Sequence, residues 1–219
     1  MIKAVVSDFG GVLTAPLLQG FTSIQADTGV PAEAFGAALA RATATDGRNP
    51  LFELEVGAIS EHEFLTTLER ELEAGLGRAV TLHGFGERYM VALDANDELF
   101  DYYRTLHGRG MRLAMLTNNV REWEPLWRAK LPVDEIFETV VDSAFVGMRK
   151  PDPAIYALVL ERLELPATAC AFVDDIAVNV EAARPLGFAT VHFRSTEQTI
   201  AELDALLSGQ FSEPSRSQQ

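Results

Sequence analysis

Ile2-Lys3-Ala4-Val5-Val6-Ser7-Asp8-Phe9-Gly10-Gly11-Val12 joins an apolar run to a carboxylate and two glycines. Ile2 to Ser7 is strand-sized and rich in Val and Ile, and the glycines after Asp8 permit a tight loop, which predicts a buried parallel strand. Comparable runs recur at Arg112 to Leu116, Thr139 to Asp142, Cys170 to Val173 and Ala189 to Phe193. Helical patterns separate them. Asp97 to His107 carries Leu99, Tyr102, Tyr103 and Leu106 and stops at Gly108 and Gly110; Ala154 to Leu163 carries Ile155, Leu158 and Val159; Val178 to Leu186 ends at Gly187. Glycine directly after a periodic apolar stretch is a helix stop. Strand alternating with helix predicts an α/β fold, a parallel sheet with helices on both faces. Ligands of such sheets bind beyond the carboxyl ends of the strands. Asp8, Thr117 and Asp174 each fall at that end, so three distant motifs are expected to meet in one crevice.

From Pro16 to Asn96 the alternation breaks into long amphipathic stretches with no convincing strand. Ser60-Glu61-His62-Glu63 forms a capping box, after which Phe64, Leu65, Leu68 and Leu72 line one helix face. An insert that follows the first strand so closely is expected to lie over the crevice as a lid. From Gly209 onward Ser, Gln, Glu and Pro leave too little apolar surface to fold. The expected organisation is a core from residues 1–15 and 97–208, a helical cap from 16–96 and a disordered tail from 209–219.

A chain of 219 residues, 47% of them hydrophobic, can bury a substantial core. Its formal charge of -14 sets up a field that repels nucleic acid and anionic lipid, so neither is an expected partner. The single cysteine, Cys170, sits in an apolar run and reads as a buried thiol in a reducing compartment. No charged leader precedes a long apolar stretch and no apolar run is long enough to span a bilayer, so a cytoplasmic location is expected. The sequence offers no support for a homo-oligomer. Trp123 and Trp127, four residues apart, read as core or subunit packing rather than as a binding platform.

Four clusters carry the chemistry: Ser7 to Val12, Thr117-Asn118-Asn119, Arg149-Lys150-Pro151-Asp152 and Val173-Asp174-Asp175. Gly10 and Gly11 let the backbone bend around a phosphate, with their amides as donors. Thr117 adds a hydroxyl, and the Asn118 amide can bind phosphoryl oxygens if a helix starts there; a plain strand-to-helix cap is the other reading. Lys150 balances the charge of Asp8 and a phosphate, or is a solvated surface lysine. Asp174 and Asp175 repel one another unless a cation joins them. Mg²⁺ suits the pair, since it prefers oxygen ligands and bridges to phosphate oxygens. Asn179 either orients these carboxylates or caps the next helix.

Over nearly its whole length apart from the tail, the chain resembles the haloacid dehalogenase-like hydrolases, in the subclass with a helical cap after the first motif. The resemblance implies a Rossmann-like core, Asp8 as the nucleophile that forms an aspartyl-phosphate, and the Gly10 carbonyl as a metal ligand. It further implies Asp175 as a direct Mg²⁺ ligand, Asp174 as an indirect or alternate one, and a cis Lys150-Pro151 bond. Gly11, Thr117, Asn118 and Lys150 fall at the phosphate-binding positions. One departure stands out. Phosphatases of the family carry a second Asp two residues after the nucleophile, as acid and base, and Gly10 occupies that position here. Losing such a group costs about 10² to 10⁴ in rate, most for substrates with poor leaving groups. His62, His83, Glu53 and Glu55 are the insert side chains of a kind that can replace it. The expected function is Mg²⁺-dependent hydrolysis of small phosphorylated metabolites; the alternative is a non-catalytic phosphate-binding relative. Carbon-halogen hydrolysis needs no cation, so the acidic pair argues against it. Phosphonate cleavage through a lysine imine lacks a lysine in the insert.

Overall fold

The computed structural model describes residues 1–208, so the expectation for the tail from Gly209 lies outside the described residues. The first strand, β1 (Ala4–Ser7), is buried at every position and leads into a turn at Gly10 and Gly11. Six helices precede the next strand, and the first five of them are α1 (Leu18–Thr28), α2 (Ala32–Asp46), α3 (Pro50–Glu55), α4 (Glu61–Leu76) and α5 (Phe85–Val91). The Ser60 capping box at the start of α4 is present, with Phe64, Leu68 and Leu72 buried one turn apart. The chain returns through α6 (Asp97–Gly108), β2 (Arg112–Thr117), a three-ten turn at Arg121–Trp123 and α7 (Glu124–Arg128). Then come β3 (Thr139–Asp142), α8 (Ser143–Val146), α9 (Pro153–Leu163), β4 (Cys170–Asp174), α10 (Ala177–Ala183), β5 (Ala189–His192) and α11 (Thr196–Leu207).

The strands form one parallel sheet in the order β3-β2-β1-β4-β5. β1 lies at the centre, and the chain leaves it to opposite sides, which opens a crevice at its carboxyl end. Period-two alternation explains the two apolar layers. Ala4, Val6, Leu116 and Phe172 pack with Ile155, Tyr156 and Val159 of α9, while Val5, Leu113, Met115 and Val173 face Leu99 and Tyr103 of α6 and Leu203 of α11. Cys170 is buried and unpaired, and burial pushes its thiol up to about 11.

Two differences in element boundaries have local causes. The helix expected to run to Leu186 ends at Ala183 and continues as a three-ten turn through Pro185, whose missing N–H breaks the α ladder. No helix begins at Asn118; the chain stays irregular until Arg121. The insert enters and leaves through adjacent strands of chain. Ala15 N–H donates to Asp94 O at 2.8 Å, Asn96 N–H donates to Leu13 O at 2.9 Å, and Thr14 bridges Ala95 antiparallel. Among the described residues, no helix is long and apolar enough to cross a membrane.

Candidate active site

Register places the acidic residues. Ser7 pairs with Val173, and Asp8 N–H continues that ladder to Val173 O at 2.9 Å, so Asp8 emerges beside Asp174 and Asp175 at the mouth of the crevice. One carboxylate oxygen from each of the three lies within 4.8 Å of the others. Lys150, only 1% exposed, donates to Asp174 Oδ2 at 2.6 Å and reaches Asp8 Oδ1 at 2.9 Å. Asp8 Oδ1 also accepts from Phe9 N–H at 2.7 Å. Lys150 is therefore no surface lysine. Burial alone would depress its ammonium, but Asp174 and Asp8 outweigh that and hold it above its ordinary value.

The carboxylates differ in what they are free to do. Asp174 accepts from Asn179 Nδ2 at 3.0 and 3.2 Å, from Ile176 N–H at 2.8 Å and from Lys150, so both of its oxygens are engaged. Asn179 thus orients Asp174. Asp175 Oδ1 is buried with no hydrogen-bond partner among the described residues. Burial lifts Asp8 to about 7, against the pull of Lys150 and with the push of Asp174 and Asp175; burial and then Asp174 lift Asp175 to about 6. A buried oxygen without a partner, among carboxylates that resist ionising together, is the donor set a hard divalent cation neutralises. The residues present fit Mg²⁺.

The middle motifs make further contacts of their own. The Asn118 side chain donates to Lys150 O at 3.0 Å and accepts from Lys150 N–H at 2.8 Å, clamping the loop that carries the lysine. The Asn119 amide donates to Ser143 Oγ at 3.0 Å. Without a helix start, no bundle of free amides forms there. Gly11 N–H donates to Thr14 Oγ1 at 3.0 Å. Its requirement is spatial: φ is +79°, and a Cβ would overlap the Asp175 carboxylate. The Lys150-Pro151 bond is cis.

A cavity of about 580 Å³ opens from this cluster under the insert. Asp8, Gly10, Asn118, Lys150, Asp175 and Asn179 line its polar end; Gly11, Thr117 and Asp174 do not line it. The space facing Gly10 holds Leu17, whose Cδ2 lies 3.2 Å from where a Cβ would stand. Of the four side chains considered as a substitute acid, His62 and His83 are exposed and Glu53 reaches toward Arg48 at 3.5 Å; none of these lines the cavity. Glu55 does line it, but its Oε2 is held by Arg149 Nε at 2.6 Å. Burial raises the Glu55 carboxyl while Arg149 lowers it. The pair ties the insert to the core, reinforced by Ser143 Oγ donating to Glu55 O at 2.5 Å. The tryptophans divide. Trp127 packs on Phe9 in the core at a ring distance of 5.1 Å, whereas Trp123 lines the cavity and donates to Glu61 Oε1 at 2.8 Å.

A central-strand aspartate, a buried lysine and an acidic pair thus meet at the crevice of a Rossmann-like α/β sheet. The chain belongs to the haloacid dehalogenase-like hydrolases: the family model matches residues 2–187. It is 32% identical to phosphatase MT3486 of Mycobacterium tuberculosis (strain CDC 1551 / Oshkosh), covering 95% of this chain and 98% of that one. A predicted HAD-like family hydrolase from Porphyromonas gingivalis superimposes with a TM-score of 0.70 at 25% identity, over 95% of this chain and 98% of that chain. Other relatives are much longer: acyl-CoA dehydrogenase family member 10 of Mus musculus is 37% identical over 47% of this chain, which spans only 9% of it. The protein is an enzyme of the hydrolase class with phosphatase homologues.

Proposed function

We propose that the protein hydrolyses small phosphomonoesters through an aspartyl-phosphate on Asp8, with the helices of residues 16–96 acting as a cap. The observation that carries this reading is the meeting of Asp8, Asp174 and Asp175 oxygens within 4.8 Å, with Lys150 bridging Asp8 and Asp174. An Asp8 oxygen attacks phosphorus; the new P–O bond forms as the ester P–O bond breaks, and the leaving oxygen departs with the electron pair. Water then attacks the acyl phosphate, releases inorganic phosphate and restores the carboxylate. Lys150 holds Asp8 in place and balances its charge. Thr117, at the end of β2, is the proposed hydroxyl donor to phosphoryl oxygens. Asp8, the Gly10 carbonyl and Asp175 would hold Mg²⁺, with Asp174 behind them; bound there, the cation supplies charge neutralisation to the phosphoryl oxygens.

With Leu17 opposite Gly10 and Glu55 ion-paired, no side chain among the described residues stands ready to protonate the leaving oxygen. Turnover should therefore fall steeply as the leaving group becomes more basic. The test is a panel of acyl, aryl and alkyl phosphates with Mg²⁺. Turnover on the acyl and aryl members, declining toward the alkyl ones, supports the reading. Binding without turnover on every member favours the alternative that the Gly10 position suggests, a phosphate-binding relative without catalysis.

Metal binding should be pH-linked. Metal-free, Asp8 and Asp175 keep protons that the unfolded chain releases near pH 4, so stability falls as pH rises through about 6 to 7. Mg²⁺ must displace those protons. The thermal shift caused by a fixed Mg²⁺ concentration is expected to be small at pH 5 and to grow through pH 7.5. A shift independent of pH would separate the cation from these two carboxylates.

A further inference from the structure

We propose that the organic part of the substrate is apolar, an alkyl, aryl or isoprenoid-like group rather than a polyol or sugar; the proposal rests on the phosphatase reading above. The cavity that begins at Asp8 is far larger than a phosphoryl group. At about 30 Å³ per water-sized group, its 580 Å³ leaves room for roughly ten to fifteen heavy atoms once phosphate and cation are in place. That space has a definite chemical character. Of the residues that α1 to α5 contribute to its wall, only Glu55 and Tyr89 carry a polar side-chain atom.

Those two are already engaged. Tyr89 donates its hydroxyl to Leu17 O at 3.1 Å, and Glu55 pairs with Arg149. Trp123, facing the insert from the core, spends its N–H on Glu61. Each amphipathic side chain therefore offers the cavity its carbon surface. The rings also hold one another: Phe21 lies 5.6 Å from Phe35 and 5.3 Å from Tyr89, Phe85 stacks on Tyr89 at 5.6 Å, and Tyr89 lies 5.5 Å from Trp123. A mutually packed aromatic wall is preformed, so an apolar guest loses little in ordering it. A sugar in the same space would leave buried hydroxyls without partners.

The rim agrees with the interior. Leu17, Phe52, Ile176 and Val178 are exposed large apolar side chains, and all four line this cavity. The Arg149 guanidinium carbon lies over the Phe52 ring at 3.9 Å and covers carbon with a charge already committed to Glu55. Exposed apolar groups gathered at one mouth, leading to an apolar interior with a phosphate-sized polar end, fit an amphiphilic monophosphate entering head first.

The experiment is isothermal titration of the full chain, with Mg²⁺ present, by n-alkylphosphonates from two to ten carbons, alongside a hexose phosphate and inorganic phosphate as competitor. The alkylphosphonates hold phosphorus through a P–C bond and have no ester to hydrolyse, and the hexose phosphate is titrated on the Asp8→Asn protein beside hexylphosphonate, so binding is read separately from turnover on acyl phosphates. The expected result is a Kd that falls about fourfold per added methylene until the cavity is full, competition by inorganic phosphate, and hexylphosphonate binding at least tenfold tighter than hexose phosphate. A Kd independent of chain length, tighter binding of the hexose phosphate, or tight chain binding indifferent to inorganic phosphate would each overturn the proposal. Chain-length-dependent, phosphate-competed binding without acyl phosphate turnover would uphold the apolar pocket and sink the phosphatase reading alone.

Discussion

Replacing Asp8 with asparagine is expected to lower kcat on acyl and aryl phosphates by roughly 10⁴-fold or more, the scale on which loss of a covalent nucleophile is felt. The carboxamide keeps the shape of the side chain, and Phe9 N–H can still donate to its oxygen as it does to Oδ1 at 2.7 Å. Lys150 keeps its 2.6 Å contact with Asp174, so the loop at residue 150 stays anchored. Stability should move the opposite way from activity. Because burial raises Asp8 to about 7, its charged form is disfavoured in the metal-free fold above that pH, and asparagine avoids this cost. The variant's melting temperature without Mg²⁺ should gain on the parent's as pH rises from 5 to 8, and its Mg²⁺-induced shift should shrink. Turnover retained within tenfold in a folded Asp8→Asn protein would refute the aspartyl-phosphate route.

The strands and their order of chemistry were legible because each is a local apolar run that ends on a polar residue. Asp8, Asp174 and Asp175 are expected together for the same reason: strand ends and the residues after them point into one crevice once the sheet is parallel; Lys150, beyond α8, is singled out only by its position relative to the other motifs. What lay hidden depends on pairs far apart in the chain. Glu55 meets Arg149 across 94 residues and Asn118 meets Lys150 across 32, and no periodicity encodes such pairings. The backbone amide of Asn118 reads as an anion donor if a helix starts there; no helix does, and its side-chain carboxamide serves in addition as a two-pronged clamp. Its side chain has a donor and an acceptor, and the backbone of Lys150 offers the matching pair. Trp123 gave no signal separating it from Trp127, since both are aromatic at helical spacing. Only the three-ten turn at Arg121–Trp123 turns one of them toward the cavity.

The same geometry makes the missing acid restorable. Gly10→Asp is expected to raise kcat on alkyl phosphates by about 10² to 10⁴, the range of general acid catalysis, while acyl phosphate turnover changes only a few-fold. Gly10 is not among the glycines with positive φ, so an aspartate meets no backbone penalty there. Its Cβ would meet Leu17 Cδ2 at 3.2 Å, the end of a side chain that is 36% exposed and can rotate outward. Gly10→Asp with Leu17→Ala removes even that contact and should gain at least as much. The added carboxyl would stand near Asp8 and Asp175, where its own proton is favoured by repulsion, as an acid for the leaving oxygen requires. The signature is a flattened dependence of rate on leaving-group basicity, with the steep parental slope lost. If the variant folds and binds Mg²⁺ but gains equally on acyl and alkyl phosphates, or on neither, then leaving-group protonation is not what the glycine removed.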